Sequence, residues 1–200
     1  ADLPKEELGR TISMVYQNPE EMFIKDSIRK DIEYAMMVRK VEDYQKRTDE
    51  LLEMFRLTDL QDRDGRLLSG GQMRRASLAI GIALQPEILL LDEPTANLDI
   101  ATRREIMKTL QMLKGITDTV VIATHDMQLV CDWAERLIVL SAGYVIADGT
   151  KEEIFADMYV RQQVGIRPPQ ICDMGRALGI ENPCFTIDEF MEYFRGEKYA

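Results

Sequence analysis

From Ile88 to Leu91 four aliphatic residues run without interruption into Asp92, Glu93 and Pro94. A short, continuously apolar segment such as "EILLLDEP" has no polar face, and strands of this kind belong to parallel sheets covered on both faces. "TVVIATHD" (119–126) is a second such strand, and "TISMVYQNPE" (11–20) begins as a third before stopping at the turn signal Asn18-Pro19. Helical patterns separate them. Residues 27–57 place Ile28, Ile32 and Met36, then Leu51, Leu52 and Phe55, on one face; 68–85 is a Gly-Gly loop feeding a helix that is apolar nearly all round from Ala76 and stops at Pro86; 100–114 is amphipathic. This alternation predicts an α/β fold with a mostly parallel sheet.

Beyond residue 123 the pattern continues more finely. Asp126 or Thr124 caps a helix running to about Ala134, "RLIVL" (136–140) and "YVIADG" (144–149) flank a hairpin turn, and Thr150 with Glu153 forms a capping box. The last 45 residues change character: a Pro-Pro break is followed by a short amphipathic stretch and a second capping box, Thr186 with Glu189. They read as a small helical appendage. No internal repeat or low-complexity linker is visible.

Composition narrows the function classes. A net charge of −10 and a pI near 4.7 argue against a protein that holds nucleic acid by bulk electrostatics. Three cysteines, Cys131, Cys172 and Cys184, form neither an even set nor a C-x-x-C, which predicts reduced thiols. No apolar run approaches the ~18 residues of a membrane span, so a membrane role goes through a partner. The first residue is alanine, as in a cropped piece of a longer chain.

Several residues can carry chemistry. Asp92 and Glu93 fall at the carboxyl edge of the predicted sheet, where α/β ligands bind. Adjacent strand residues point to opposite faces, so one carboxylate can serve Mg²⁺ through water while the other polarises an attacking water. In Ser69-Gly70-Gly71-Gln72 the glycines let a ligand approach the backbone at a helix N-terminus; taken alone, the same four residues read as a Gly-Gly turn with a serine cap. His125, the single histidine, follows the strand 119–123 at the same sheet edge. Gln17 ends another strand, where an amide can ligate a metal through water or join a turn.

The ordered set Gln17-Asn18-Pro19, Leu68-Ser69-Gly70-Gly71-Gln72, "ILLLDEP", Asn97-Leu98-Asp99 and His125 resembles the ATP-binding-cassette (ABC) ATPase family over residues 11–155. The resemblance implies a P-loop NTPase-like cassette: residues 1–155 form the ATPase domain, with a helical subdomain at about 20–76, and 156–200 form the appendage. It implies ATP and Mg²⁺ as cofactors, and two cassettes meeting head to tail. Gln17 looks like the Q-loop glutamine, touching Mg²⁺ and water. Ser69, Gly70, Gly71 and Gln72 look like the signature, which binds the γ-phosphate of ATP held by the other cassette. Asp92 resembles the Walker B aspartate on Mg²⁺, Glu93 the general base, Asp99 the D-loop aspartate that crosses the dimer interface, and His125 the switch histidine on the γ-phosphate. "QNPEEMF" and "GIRPPQICDMGRALG" are similar to the energy-coupling-factor branch, whose ATPases drive uptake of vitamins and transition-metal ions such as cobalt from the cytoplasmic membrane face, below a transmembrane component. The segment 20–67 then docks on that component, with Met22, Phe23, Tyr34, Met36 and Met37 either in the contact or in the subdomain's own core.

One family element is missing. No glycine is followed by lysine, so the 200 residues contain no G-x-x-x-x-G-K-[ST], and only 16 residues precede Gln17. A sheet without the P-loop strand is expected to show open strand edges and apolar surface. Three accounts are open: a cropped chain, a front half supplied by a separate chain, or a natural short form that gives only its signature to a partner's ATP.

Overall fold

β1 (Ile12–Val15), β2 (Ile88–Asp92) and β3 (Thr119–Ala123) form a parallel sheet in the order β1-β2-β3. The register sets Val15 opposite Leu91, and Asp92 opposite Ala123, so the carboxyl ends of the strands make one edge. The computed structural model describes residues 8–9, 11–180 and 182–197; the expected domain limits at residues 1 and 200 lie outside them. The chain divides after Thr124 into two compact units.

In the first unit α3 (Gly70–Ile82) lies against β1. A Cβ on Gly81 would stand 2.5 Å from Val15 Cγ2, so only glycine lets the helix come this close to the sheet. Ala76, Ser77, Leu78, Ala79 and Ile82 are all buried, as the apolar pattern requires, and the helix ends ahead of Pro86. The sheet departs from expectation. Val15, Leu89 and Leu91 are buried, but they alternate with the half-exposed Ile88 and Leu90 and the exposed Met14 and Val121. Met14, Leu90 and Val121 share one register row. Among the described residues of this unit the apolar strands are therefore deeply covered on one face, not two.

α1 (Ile28–Val38) starts at the Ser27 cap, and α2 (Tyr44–Met54) follows after a break in which Lys40 and Asp43 take positive φ. The six apolar residues expected on one face, from Ile28 to Phe55, are all buried. Phe23 and Met36 are core, Met22 is half-buried, and Tyr34 and Met37 are exposed. α4 (Ile100–Leu113) buries Ile106, Leu110 and Leu113.

The second unit opens with α5 (Met127–Trp133), capped by Asp126, which accepts from the N–H groups of Gln128 and Leu129. β4 (Leu137–Ser141) and β5 (Tyr144–Gly149) pair antiparallel through a turn with positive φ at both Ala142 and Gly143, the geometry that suits a two-residue hairpin. The Thr150–Glu153 capping box starts α6 (Lys151–Ala156). α7 (Met158–Val164), α8 (Gln170–Ala177) and α9 (Ile187–Glu197) follow, the last behind Thr186 and Glu189. Cys131, Phe155, Cys172 and Phe185 share one core; the expected boundary at 155/156 falls within this unit. The three cysteines are free and buried, and burial pushes Cys131 up to about 12 and Cys172 up to about 11, the state of inert thiols. Among the described residues no helix is long and apolar enough to cross a membrane.

Candidate functional site

Asp92 closes β2, and both it and Glu93 are half-buried. Glu93 leaves the strand sharply. Its φ is +43°, a left-handed conformation that side-chain-bearing residues avoid. Its N–H still donates to the Ala123 carbonyl at 2.9 Å, so the backbone stays tied to β3 while the side chain turns off the strand line. The Thr124 hydroxyl donates to Glu93 Oε2 at 2.8 Å, which fixes the carboxylate. Sequence reasoning offered Thr124 as a helix cap; Asp126 takes that role, and the Thr124 hydroxyl goes to the candidate base instead.

The chain then makes a tight loop. Ala96 N–H donates to the Glu93 carbonyl at 3.1 Å, Pro94 and Thr95 are buried, and Asn97 takes φ +59°. The loop ends at Asp99, which is exposed and caps α4 by accepting from Ala101 N at 2.9 Å and Thr102 N at 3.0 Å. The Thr102 hydroxyl and amide hold the Asp99 carboxyl below the usual range.

Gln17 lies two residues past the end of β1 with its side chain exposed. Its backbone is gripped from below: Arg74 donates from Nη1 to the Tyr16 carbonyl at 2.9 Å and from Nη2 to the Gln17 carbonyl at 2.7 Å. Arg74 is only 3% exposed. Burial lowers its pKa, and the charge of Asp92 works in the opposite direction. Sequence reasoning missed this residue. A signal was present: in a helix buried nearly all round an arginine on the inner face must find acceptors, and Arg74 shares its face with the buried Ser77, Leu78 and Gly81.

At the start of α3, Ser69 and Gly70 are exposed. Gln72 Oε1 accepts from Ser69 N at 3.1 Å and so closes the turn. The two glycines differ. A Cβ on Gly71 would lie 2.4 Å from Thr102 Cγ2, so this residue packs against the first turn of α4. A Cβ on Gly70 would meet nothing nearer than Leu98 Cδ2 at 4.0 Å, so the backbone is open to a ligand there. The exposed N-terminus of a 13-residue helix with an open glycine suits an anionic phosphate.

The structure thus gathers Gln17, Arg74, Asp92 and Glu93 at the sheet edge, and sets Ser69–Gln72 against the Asp99–Thr102 turn, all in the first unit. His125 is exposed and belongs to the second unit. Among the described residues no group of three His, Cys, Asp or Glu side chains comes together to hold a metal ion. The Asp92 carboxylate and the exposed Gln17 amide are hard oxygen donors at the ends of neighbouring strands, too few to cage an ion. That fits Mg²⁺, which binds through one or two carboxylates, waters and substrate phosphates rather than in a protein cage.

Comparison with known proteins gives a concordant result. The profile described as ABC transporter matches residues 2–96. The chain is 34% identical over 197 residues to the energy-coupling factor transporter ATP-binding protein EcfA1 of Caldanaerobacter subterraneus subsp. tengcongensis, covering 94% of this chain and 70% of that protein. It is 31% identical over 176 residues to the cobalt import ATP-binding protein CbiO of Rhodobacter capsulatus, covering 87% of this chain and 63% of that one. Among solved structures, cbiO1 of Clostridium perfringens, described as part of the ABC transporter complex cbiONQ, superposes with a TM-score of 0.70 at 32% identity, over 88% of this chain and 72% of that one.

Proposed function

The chain belongs to the ABC transporter ATP-binding family, and on that premise we propose that it is the ATP-hydrolysing subunit of an energy-coupling-factor importer for a vitamin or a transition-metal ion such as cobalt. The relatives named for energy coupling and cobalt import support the importer branch. The observation that carries the catalytic reading is the pair at the end of β2, with Glu93 turned off the strand by its positive φ and held by the Thr124 hydroxyl.

In this reading Asp92 and the Gln17 amide oxygen hold Mg²⁺. The bound ion supplies charge neutralisation on the nucleotide's terminal phosphates. Glu93 accepts the proton of the attacking water. The amides around Ser69, Gly70 and Gly71, in the turn that Gln72 closes, present hydrogen-bond donors to the terminal phosphate of a nucleotide held by a second cassette. Asp99 shapes the turn that meets that cassette, and His125 takes the part of the switch histidine that contacts a γ-phosphate. The hydrogen bonds that hold the turns at Glu93, Ser69–Gln72 and Asp99 support a mechanism of positioning and charge stabilisation, as in phosphoryl transfer generally. Residues 1–155 act as the cassette and 156–200 as an appendage. The protein sits at the cytoplasmic face of the membrane against a transmembrane component, reached through the helical subdomain. The acidic net charge gives no support for a nucleic-acid partner.

The test is Glu93→Gln in the protein expressed from its native reading frame. ATP binding persists and steady-state turnover falls by about 10²–10⁴-fold; undiminished turnover refutes the role. A second reading rests on the absence of G-x-x-x-x-G-K-[ST] from these 200 residues: the chain alone binds no ATP and only completes a partner's site. ATP titration and turnover of the protein expressed from its native reading frame separate the two: binding with turnover supports the first reading, and no ATP binding of its own supports the second.

A further inference from the structure

We infer that Arg74 is a positioning residue that ties the metal-holding loop after β1 to the helix that carries the Ser69–Gln72 turn, so that the two move as one piece. The inference rests on the reading above for what Gln17 and Ser69–Gln72 hold, and on the structure for the tie itself.

The tie is specific. Arg74 lies one helical turn after Gly70 on α3, so it is rigid with respect to the exposed turn at the helix start. Its two terminal nitrogens reach successive carbonyls, Tyr16 and Gln17, at 2.9 and 2.7 Å. These carbonyls lie where the chain has left the sheet, beyond the last paired residue Val15. The turn's own hydrogen bonds, Asn18 carbonyl to Glu21 N–H at 3.2 Å and Asn18 Nδ2 to Glu21 Oε1 at 3.1 Å, are internal to it, and the Pro19–Met22 turn otherwise meets α3 by packing. The third nitrogen, Nε, is buried without a hydrogen-bond partner. A guanidinium buried to this degree is costly, and an apolar side chain of similar volume would fill the space without that cost. What an apolar residue would not do is hold two adjacent carbonyls with a planar fork. Two parts of the site thus meet at one side chain: the Gln17 loop and the helix behind Ser69–Gln72. When a phosphate docks at the helix start, any shift of α3 is passed through Arg74 to Gln17.

The experiment compares Arg74→Met, which fills the space without donors, with Arg74→Lys, which keeps the charge but not the fork. Hydrogen exchange of the amides from Gln17 to Met22 in the nucleotide-free protein reads the tie directly. It is expected to speed up about tenfold in Arg74→Met, with Arg74→Lys in between. In the Glu93→Gln background, Mn²⁺ serves as the probe ion, and its affinity in the presence of ATP is read by electron paramagnetic resonance. That affinity is expected to fall about 10–100-fold in Arg74→Met, the usual effect of removing an outer support of a metal ligand, while ATP affinity without metal stays within about twofold. Unchanged exchange and unchanged Mn²⁺ affinity in Arg74→Met overturn the inference and leave Arg74 as packing. If Arg74→Met does not fold, Arg74→Lys decides by the same two readouts. Failure of the catalytic reading shows separately, as turnover surviving in Glu93→Gln with wild-type Arg74.

Discussion

Glu93 is held from two sides, by its backbone bond to Ala123 and by the Thr124 hydroxyl on its carboxylate. A hydrogen bond to a charged group contributes roughly 1.5–3 kcal/mol. Thr124→Val is therefore expected to lower kcat for ATP by about tenfold or more with little change in KM, while Thr124→Ser restores it; steady-state kinetics checks both. The backbone at Glu93 makes a second prediction. At φ +43° a Cβ costs about 1–2 kcal/mol that glycine does not incur. Glu93→Gly and Glu93→Ala both lose the carboxylate, and the relieved strain outweighs the roughly 0.4–1 kcal/mol that glycine's freer unfolded chain costs, so Glu93→Gly should melt at least as high as Glu93→Ala. Carboxylates and glycines in ordered motifs are readable from sequence because few side chains do their work. Arg74 and Thr124 are not motif residues, and their roles depend on which way a helix face or a strand end points. Of the adjacent pair Arg74 and Arg75, the helix phase sends one to Tyr16 and Gln17 and the other outward to the Phe55 carbonyl and Glu105.

The helical elements after β1 depend on a buried acid. Asp31, on α1, is almost wholly buried, and its Oδ1 accepts from Ile24 N and Lys25 N, both at 2.8 Å. Arg66 reaches the Lys25 carbonyl at 3.4 Å, and Phe23 packs so closely on Gly65 that a Cβ there would stand 2.3 Å from the ring. Asp31→Ala strands two amides, and the expected loss is about 1–3 kcal/mol in denaturant unfolding. Asp31→Asn keeps an acceptor and should cost less. The pH dependence has a definite sign. Burial raises the Asp31 pKa above its unfolded value near 3.8, against the pull of the two amides. The folded state therefore binds the proton more tightly than the unfolded state. The ionised form costs stability at neutral pH, and that cost is relieved as pH falls through the folded value toward 3.8. The Tm of the wild type should accordingly gain on that of Asp31→Asn as pH is lowered from neutral. The periodicity that located these helices did not locate their break, because Lys40 and Asp43 adopt positive φ without a glycine or proline to announce it. Capping boxes at Thr150 and Thr186 were legible because both partners of each bond lie within four residues.

At the scale of the molecule, the parallel sheet was legible from three apolar runs, and its incomplete cover was not, since a run of aliphatics says that a strand is to be buried but not by what. Met14 is 42% exposed and Val121 47% exposed, in one register row with Leu90 between them. In the second unit Ile138, Leu140, Tyr144 and Val145 of the hairpin are also exposed. Apolar area of this kind favours association in water. The opposing force is the net charge of −10, which keeps like chains apart at low ionic strength and is screened over about 8–10 Å near physiological salt. The 200-residue chain on its own should therefore self-associate, and more strongly as salt is raised. Sedimentation velocity across a salt series reads this directly. Met14→Lys with Val121→Lys places two charges on this exposed register row and should shift the distribution toward monomer at each salt concentration. If the double variant sediments like the wild type while the wild type still associates, the contact lies elsewhere, and Leu140→Lys with Val145→Lys tests the hairpin next. A chain that remains monomeric at high salt would mean that water tolerates this sheet face as it stands.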